Sequence, residues 1–185
     1  MRLLQNRLLL AACACCIFLF GTPPLHADST ATIFLVRHAE KELAGNGQTG
    51  QMLGESDPAL SPAGQERAAE LSRILRDAGI QRILSTDYLR TRETASPLAS
   101  LLKLDIETYS PDRLEELVEP LKSGGQRTLV VGHSDTVPQL VVLLGGDPGS
   151  DIDEAGEYDR LYVVETNKGG EVTTILLRYG APYRP

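Results

Sequence analysis

The sequence predicts an α/β domain, a mostly parallel sheet between helical layers. Short β-favouring apolar runs, such as Ile33-Phe34-Leu35-Val36 and Leu129-Val130-Val131, alternate with stretches whose apolar residues recur at helical spacing. These runs are apolar at consecutive positions, as in central strands covered on both faces. Two of them break abruptly into polar residues, the first into Arg37-His38 and the other, through Gly132, into His133-Ser134.

Each element has its own signal. Ala31 to Val36 predicts the first strand. Glu40 to Leu60 has little apolar periodicity and contains Gly45, Gly47, Gly50 and Gly54, so it reads as a flexible rim or lid. Ser61-Pro62 opens a helix, with serine as cap and proline at the first helical position, and Gly79 closes it. Ile80 to Ser85 predicts the second strand. Thr86 or Asp87 is the expected cap of a helix carrying Leu89, Ala95, Leu98 and Leu102, with Pro97 expected to kink or restart it. Leu104 to Tyr109 predicts a third strand, and Ser110-Pro111 opens a helix that runs to Gly124. Thr128 to Val131 is the fourth strand, followed by a helix through Val137, Leu140, Val141 and Leu144. A polar loop from Asp147 leads to Tyr158-Asp159-Arg160, which reads as a structural ion pair. Leu161 to Thr166 and Val172 to Arg178, around Asn167-Lys168-Gly169-Gly170, predict a hairpin at the sheet edge.

The first 27 residues are set apart. Arg2 and Arg7 are their only formal charges, Leu8 to Phe20 is apolar, and Pro23-Pro24-Leu25-His26-Ala27 supplies a breaker and a small residue. That order is the order of a secretory signal peptide, with cleavage expected after Ala27 and residues 28–185 left as a single domain. The apolar part, about 13 residues, falls short of the ~20 that span a bilayer, so no stable membrane span is expected after processing. Leu10-Ala11-Ala12-Cys13 resembles a lipobox, which leaves lipidation at Cys13 as the alternative. Export, with a periplasmic destination, follows from either.

All three cysteines, Cys13, Cys15 and Cys16, lie in this leader, so the processed chain has no disulfide or thiolate chemistry. Removing Arg2 and Arg7 from the 18 basic residues leaves 16 against 25 acidic ones, a formal charge of −9. That balance argues against nucleic acid as a partner but leaves room for a local basic pocket.

In parallel sheets ligands bind beyond the carboxyl ends of the strands. Arg37-His38, the segment Ser85 to Arg90 and His133 would meet there. Arg37 and Arg90 carry planar, permanently charged forks suited to phosphate oxygens. A neutral His38 could attack phosphorus, and His133 could stabilise the equatorial oxygens during transfer. Arg92 reads as a surface residue.

These residues also carry a resemblance. Leu35-Val36-Arg37-His38-Ala39-Glu40 resembles the Arg-His signature of the histidine phosphatase superfamily, the phosphoglycerate-mutase-like proteins of branch 1. Arg90-Thr91-Arg92-Glu93-Thr94-Ala95 and Val131-Gly132-His133-Ser134 are similar to its second and third motifs, in the same order. Ala39, where glycine is common, is closer to the small phosphohistidine-phosphatase-like members. The resemblance implies a three-layer α/β/α sandwich, no metal or organic cofactor, His38 as phosphorylated nucleophile, and Arg37, Arg90 and His133 as the phosphate pocket. It also implies a general acid. Glu116 matches that position best, with Glu115 and Asp135 as alternatives. The expected activity is an exported phosphomonoesterase acting on a small phosphorylated molecule, a sugar phosphate being one candidate. A non-catalytic phosphate-binding module on the same fold is the alternative. A zinc hydrolase is disfavoured by two histidines without paired metal spacing.

Overall fold

The computed structural model describes residues 30–42, 57–167 and 169–185. The expected leader over residues 1–27 and the middle of the expected lid, residues 43–56, lie outside the described residues. The two ends of that loop are fixed: Lys41 pairs with Leu60 as an isolated bridge, and Ser61 N–H donates to the Glu40 carbonyl at 2.9 Å.

Strands β1 (Ala31–Arg37), β2 (Arg82–Ser85), β3 (Ile106–Thr108), β4 (Arg127–Gly132), β5 (Arg160–Thr166) and β6 (Val172–Arg178) form one sheet in the order β3-β2-β4-β1-β5-β6. The pairs β3-β2, β2-β4 and β4-β1 are parallel. The β5-β6 hairpin adds antiparallel to β1, with β6 at the edge. The sheet is therefore mostly parallel in its first half, and β1 is a central strand, as its apolar run requires. β2 and β3 are shorter than the apolar runs that predict them.

Helices α1 (Pro62–Leu75), α2 (Leu89–Leu102), α3 (Glu115–Ser123) and α4 (Thr136–Leu143) cover both faces. Alternate β1 residues serve the two layers. Ala31, Ile33 and Leu35 pack with Leu121, Leu140 and Val141 from α3 and α4, whereas Val36 packs with Leu71, Leu75 and Leu98 from α1 and α2. That is the three-layer sandwich.

The start of α1 follows the sequence signal: Ser61 Oγ accepts the Gly64 N–H, and Pro62 stands in the first turn. The start of α2 does not. Thr86 and Asp87 make no cap, because the Thr86 hydroxyl is turned to Thr91 and His133 and Asp87 pairs with Arg92. The cap comes from Asp57, 32 residues earlier, whose two carboxylate oxygens both accept the Leu89 N–H at 2.8 Å. Nor does Pro97 interrupt the helix. α2 runs continuously past it, with Thr94, Ala95, Leu98 and Ala99 buried on either side. Proline removes one N–H there, and the packed face on both flanks outweighs that loss. Ser110-Pro111 opens a single 3₁₀ turn, Pro111–Arg113, before α3 begins.

Gly64 lies where the first turn of α1 touches the catalytic-end loop: a Cβ built there would stand 2.1 Å from the Glu40 carbonyl oxygen. Gly64→Ala is expected to cost about 1–3 kcal/mol through overpacking. Urea denaturation of the two proteins measures the difference.

Candidate active site

Parallel pairing of β1 with β4 sets Arg37 opposite Gly132, so the residues that follow both strands are neighbours. His38 N–H donates to the Gly132 carbonyl at 2.8 Å. The imidazoles of His38 and His133, far apart in sequence, stand with ring centroids 5.4 Å apart in an edge arrangement.

His38 is 4 % exposed, and its Nδ1 lies 2.8 Å from the Ala39 carbonyl. A carbonyl only accepts, so Nδ1 carries the proton and Nε2 keeps its lone pair. The loop that holds this carbonyl is itself held. Ala39 N–H donates to Thr94 Oγ1 at 2.9 Å, and Thr94 Oγ1 donates to the Arg90 carbonyl at 2.7 Å. The threonine of the second motif thus ties the Arg90 turn of α2 to the His38 loop. Beyond it, the Glu40 carboxylate is gripped by the buried Arg67 of α1, whose Nη atoms also donate to the Tyr179 and Ala181 carbonyls.

Arg37 is 3 % exposed. Its Nη1 donates to the carbonyls of Asp153 and Glu157, each at 3.1 Å, and its Nη2 to that of Glu154 at 2.7 Å. The guanidinium also lies over the Tyr158 ring, 4.0 Å from its centroid. The carbonyl cradle is fixed from behind by Glu157, whose carboxylate accepts from Asp153 N–H, Arg160 and Arg178. Burial alone would raise the Glu157 pKa, but these donors outweigh it and hold the group at about 2. The ion pairs differ from the expected Asp159-Arg160 contact: Arg160 pairs with Glu157, and Asp159 with Arg178.

Arg90 lies over the Tyr88 ring at 4.3 Å and 3.6 Å from Asp57. Among the described residues the Nε atoms of both Arg37 and Arg90 are buried with no hydrogen-bond partner. A buried unpaired donor costs about 1–3 kcal/mol, more when charged, and an oxyanion is the class of ligand that guanidinium groups bind best.

His133 N–H donates to Thr136 Oγ1 at 2.9 Å, and its Nε2 lies 3.1 Å from Thr86 Oγ1. Thr91 Oγ1 spends its proton on the carbonyls of Tyr88, at 2.7 Å, or Thr86, at 3.0 Å. It can therefore only accept from Thr86, 2.9 Å away, which leaves Thr86 Oγ1 to accept from His133 Nε2–H. The network assigns the Nε2–H tautomer to His133.

A cavity of about 570 Å³ collects Arg37, His38, Arg90 and His133, together with Lys41 and Tyr88. Its far wall includes Glu115 and Asp135. Glu116, the expected acid, is not in that wall. It is 64 % exposed and pairs with Arg113 on the outer face of α3. Glu116 was expected from the resemblance; with a 3₁₀ turn preceding α3, Glu115 is the glutamate that lines the cavity. Asp135 accepts the Thr136 N–H at 2.7 Å and so caps α4 while lining the cavity. Arg92 is at the surface, paired with Asp87. Sequence reading missed Thr86, Tyr88, Tyr158 and the carbonyls of residues 153–157.

A family model described as the histidine phosphatase superfamily (branch 1) matches residues 33–118, which include Arg37, His38 and Arg90. The match covers just under half of the chain, and the matched residues are similar to that superfamily. A curated relative named probable phosphoglycerate mutase GpmB, from Salmonella arizonae, is 30 % identical over 114 residues, covering 56 % of this chain and 51 % of its own length. The chain thus spans about half the length of the curated relatives it matches. The fold is shared with the protein histidine phosphatase SixA complexed with tungstate, at a TM-score of 0.61 and 20 % identity over 80 % of this chain and 96 % of that one. It is shared equally with a mycobacterial glucosyl-3-phosphoglycerate phosphatase, at a TM-score of 0.57 and 16 % identity over 83 % of this chain and 100 % of that one. These histidine phosphatase folds place the sheet and helices as found here.

Burial is the main reason both imidazoles resist protonation: it lowers His38 to about 3 and His133 to about 4, with the Arg37 and Arg90 charges adding to it. Unfolded histidine protonates near 6.5. Below that pH the unfolded chain binds more protons, so stability present at neutral pH is lost as pH falls from about 6.5 toward 3. His38→Asn is expected to flatten that loss, read from urea midpoints between pH 7 and pH 4. Glu157→Gln, which breaks a buried charge network, is expected to lower stability by about 3 kcal/mol in the same assay at pH 7.

Proposed function

We propose that this chain is an exported phosphomonoesterase that works through a phosphohistidine on His38. The observation that carries the reading is the pair of unpartnered guanidinium Nε–H donors of Arg37 and Arg90 in a cavity wall shared with the neutral His38 imidazole. The match of residues 33–118 to the histidine phosphatase superfamily supports the same chemistry, as does the tungstate, an oxyanion, on the similarly folded SixA.

In this reading the phosphoryl oxygens take the two Nε–H bonds. The His38 Nε2 lone pair attacks phosphorus, a P–N bond forms, and the P–O ester bond breaks with its electrons leaving on the alcohol oxygen. Glu115 gives that oxygen its proton. A phosphoryl dianion raises the proton affinity of His133, and the resulting imidazolium stabilises the equatorial oxygens. Water then attacks the phosphohistidine, gives a proton to the Glu115 carboxylate, and phosphate leaves with His38 neutral again. Export rests on the order of charges, apolar run and small residues in residues 1–27, with cleavage after Ala27 or lipidation at Cys13 as the two processing routes.

The test uses the chain from Asp28 with a chelator present. Wild type is expected to hydrolyse an aryl phosphate and to form an acid-labile phosphoprotein. His38→Ala is expected to lose at least about 10⁴-fold in kcat and all of the phosphoprotein. Folded wild-type protein without turnover would overturn the phosphatase reading in favour of a phosphate-binding module. Glu115→Gln is expected to slow hydrolysis of an alkyl phosphate about 10²-fold or more, with a smaller effect on the aryl ester, whose leaving group needs less protonation. Glu116→Gln is expected to change neither.

A further inference from the structure

The catalytic cavity adjoins a second one of about 640 Å³, and the two share Tyr88, Pro111 and Asp112 as a common wall. An ester whose phosphoryl group is gripped by Arg37 and Arg90 has this second cavity as room for the group that leaves. Its lining is strongly one-sided in charge. Outside the two phosphate-facing arginines, the joined cleft carries Asp57, Asp87, Asp112, Glu115, Asp135 and Glu154, against Lys41 and Arg113.

The ion pairs sharpen this imbalance. Arg113 is taken by Glu116 at 3.3 Å, Asp87 by Arg92 at 2.9 Å, and Asp57 faces Arg90 at 3.6 Å. Among the described residues Asp112, Asp135 and Glu154 form no ion pair, so their field is left in the cleft, while Glu115 enters the proposed reaction protonated. The processed chain as a whole is acidic, so nothing distant offsets them. The guanidinium groups of Arg37 and Arg90, both in the wall of the first cavity, draw the anionic end of a ligand to that end of the cleft. A second anionic group on the same molecule would then lie among carboxylates.

We infer that the natural substrate is a phosphomonoester whose leaving alcohol carries an amine rather than a carboxylate or a second phosphate, with Asp112 as a residue that sets this preference. The inference rests on the phosphatase reading above and adds a substrate class to it. It is a statement about specificity: each exposed carboxylate contributes at most a few-fold, and their contributions weaken with salt.

The test compares three phosphates with two-carbon leaving groups, 2-aminoethyl phosphate, 2-hydroxyethyl phosphate and phosphoglycolate, with an aryl phosphate as reference. The expected order of kcat/KM is amine, then hydroxyl, then carboxylate, with about a tenfold or larger ratio between the first and last. Asp112→Asn is expected to shrink that ratio several-fold, and so is 0.5 M sodium chloride. Aryl phosphate turned over with phosphoglycolate equal to or better than the amine would overturn the inference alone. A preference for the amine that neither Asp112→Asn nor salt reduces would overturn the role of the carboxylates. Absence of turnover on all four, the aryl phosphate included, would overturn the phosphatase reading and this inference with it.

Discussion

The parallel pairing of β1 with β4 is the constraint on which the site depends. The register sets Arg37 against Gly132, and strand spacing of about 4.8 Å does the rest. Two histidines separated by most of the domain become neighbours because each follows its strand at the same end. A slip of one residue would turn Arg37 to the opposite face of the sheet and exchange the side chains presented to the two helical layers. The register is fixed by burial on both faces, with Ile33 and Leu35 packed on one side and Val36 on the other. Core packing therefore brings the two histidines together, and the loops at residues 38–40 and 153–157 orient the side chains around them.

The arginines show how the fold separates structural charges from working ones. Arg67 and Arg160 are buried and each is matched by a carboxylate, Glu40 and Glu157 respectively. Their charge is cancelled locally, and what remains is a tie between elements. Arg37 is just as buried, but its direct partners are carbonyls of residues 153–157 and the Tyr158 face. Carbonyl dipoles relieve the desolvation of a guanidinium without cancelling its net charge. The positive charge is left uncancelled in the cavity wall, and the buried Nε–H has no hydrogen-bond partner among the described residues. The carboxylates that stiffen the cradle act one step behind, through Glu157, where they order the backbone rather than compete with the ligand.

Much of this was legible in the sequence because the signals are local. An apolar run that ends in Arg37-His38, another that ends at Gly132-His133, and Ser-Pro at a helix start each report on the few residues around them. The parts that were not legible depend on partners distant in the chain. Asp57 caps α2 from 32 residues away, so Thr86 and Asp87, the local candidates, were misplaced as caps. The cradle of Arg37 comes from a polar loop more than a hundred residues later, with no composition that marks it. Glu116 was preferred to Glu115 on the resemblance alone, whereas helical phase decides which of the two faces the cavity. A residue advances by about 100° in an α-helix and about 120° in a 3₁₀ turn, and the turn at Pro111–Arg113 shifts which glutamate faces inward.

The two histidines make the site responsive to its own ligand. Both are neutral when the cavity holds no anion, because burial and two adjacent guanidinium groups oppose a further positive charge. That suits His38, whose lone pair must be free, and is wrong for His133 if it is to stabilise negative charge. In the proposed reaction a phosphoryl dianion resolves the conflict by reversing the local field. It neutralises the influence of Arg37 and Arg90 and favours a proton on the imidazole that is not attacking. Hydrogen bonding decides which imidazole that is. His38 spends its Nδ1–H on Ala39 and presents Nε2, the atom that attacks phosphorus in the proposed reaction, whereas His133 is held through Nε2–H by Thr86 and has its second nitrogen left to take up the proton. In the proposed mechanism the same burial prepares one ring as a nucleophile and the other as a conditional cation, and the difference between them lies in a backbone carbonyl and a threonine hydroxyl.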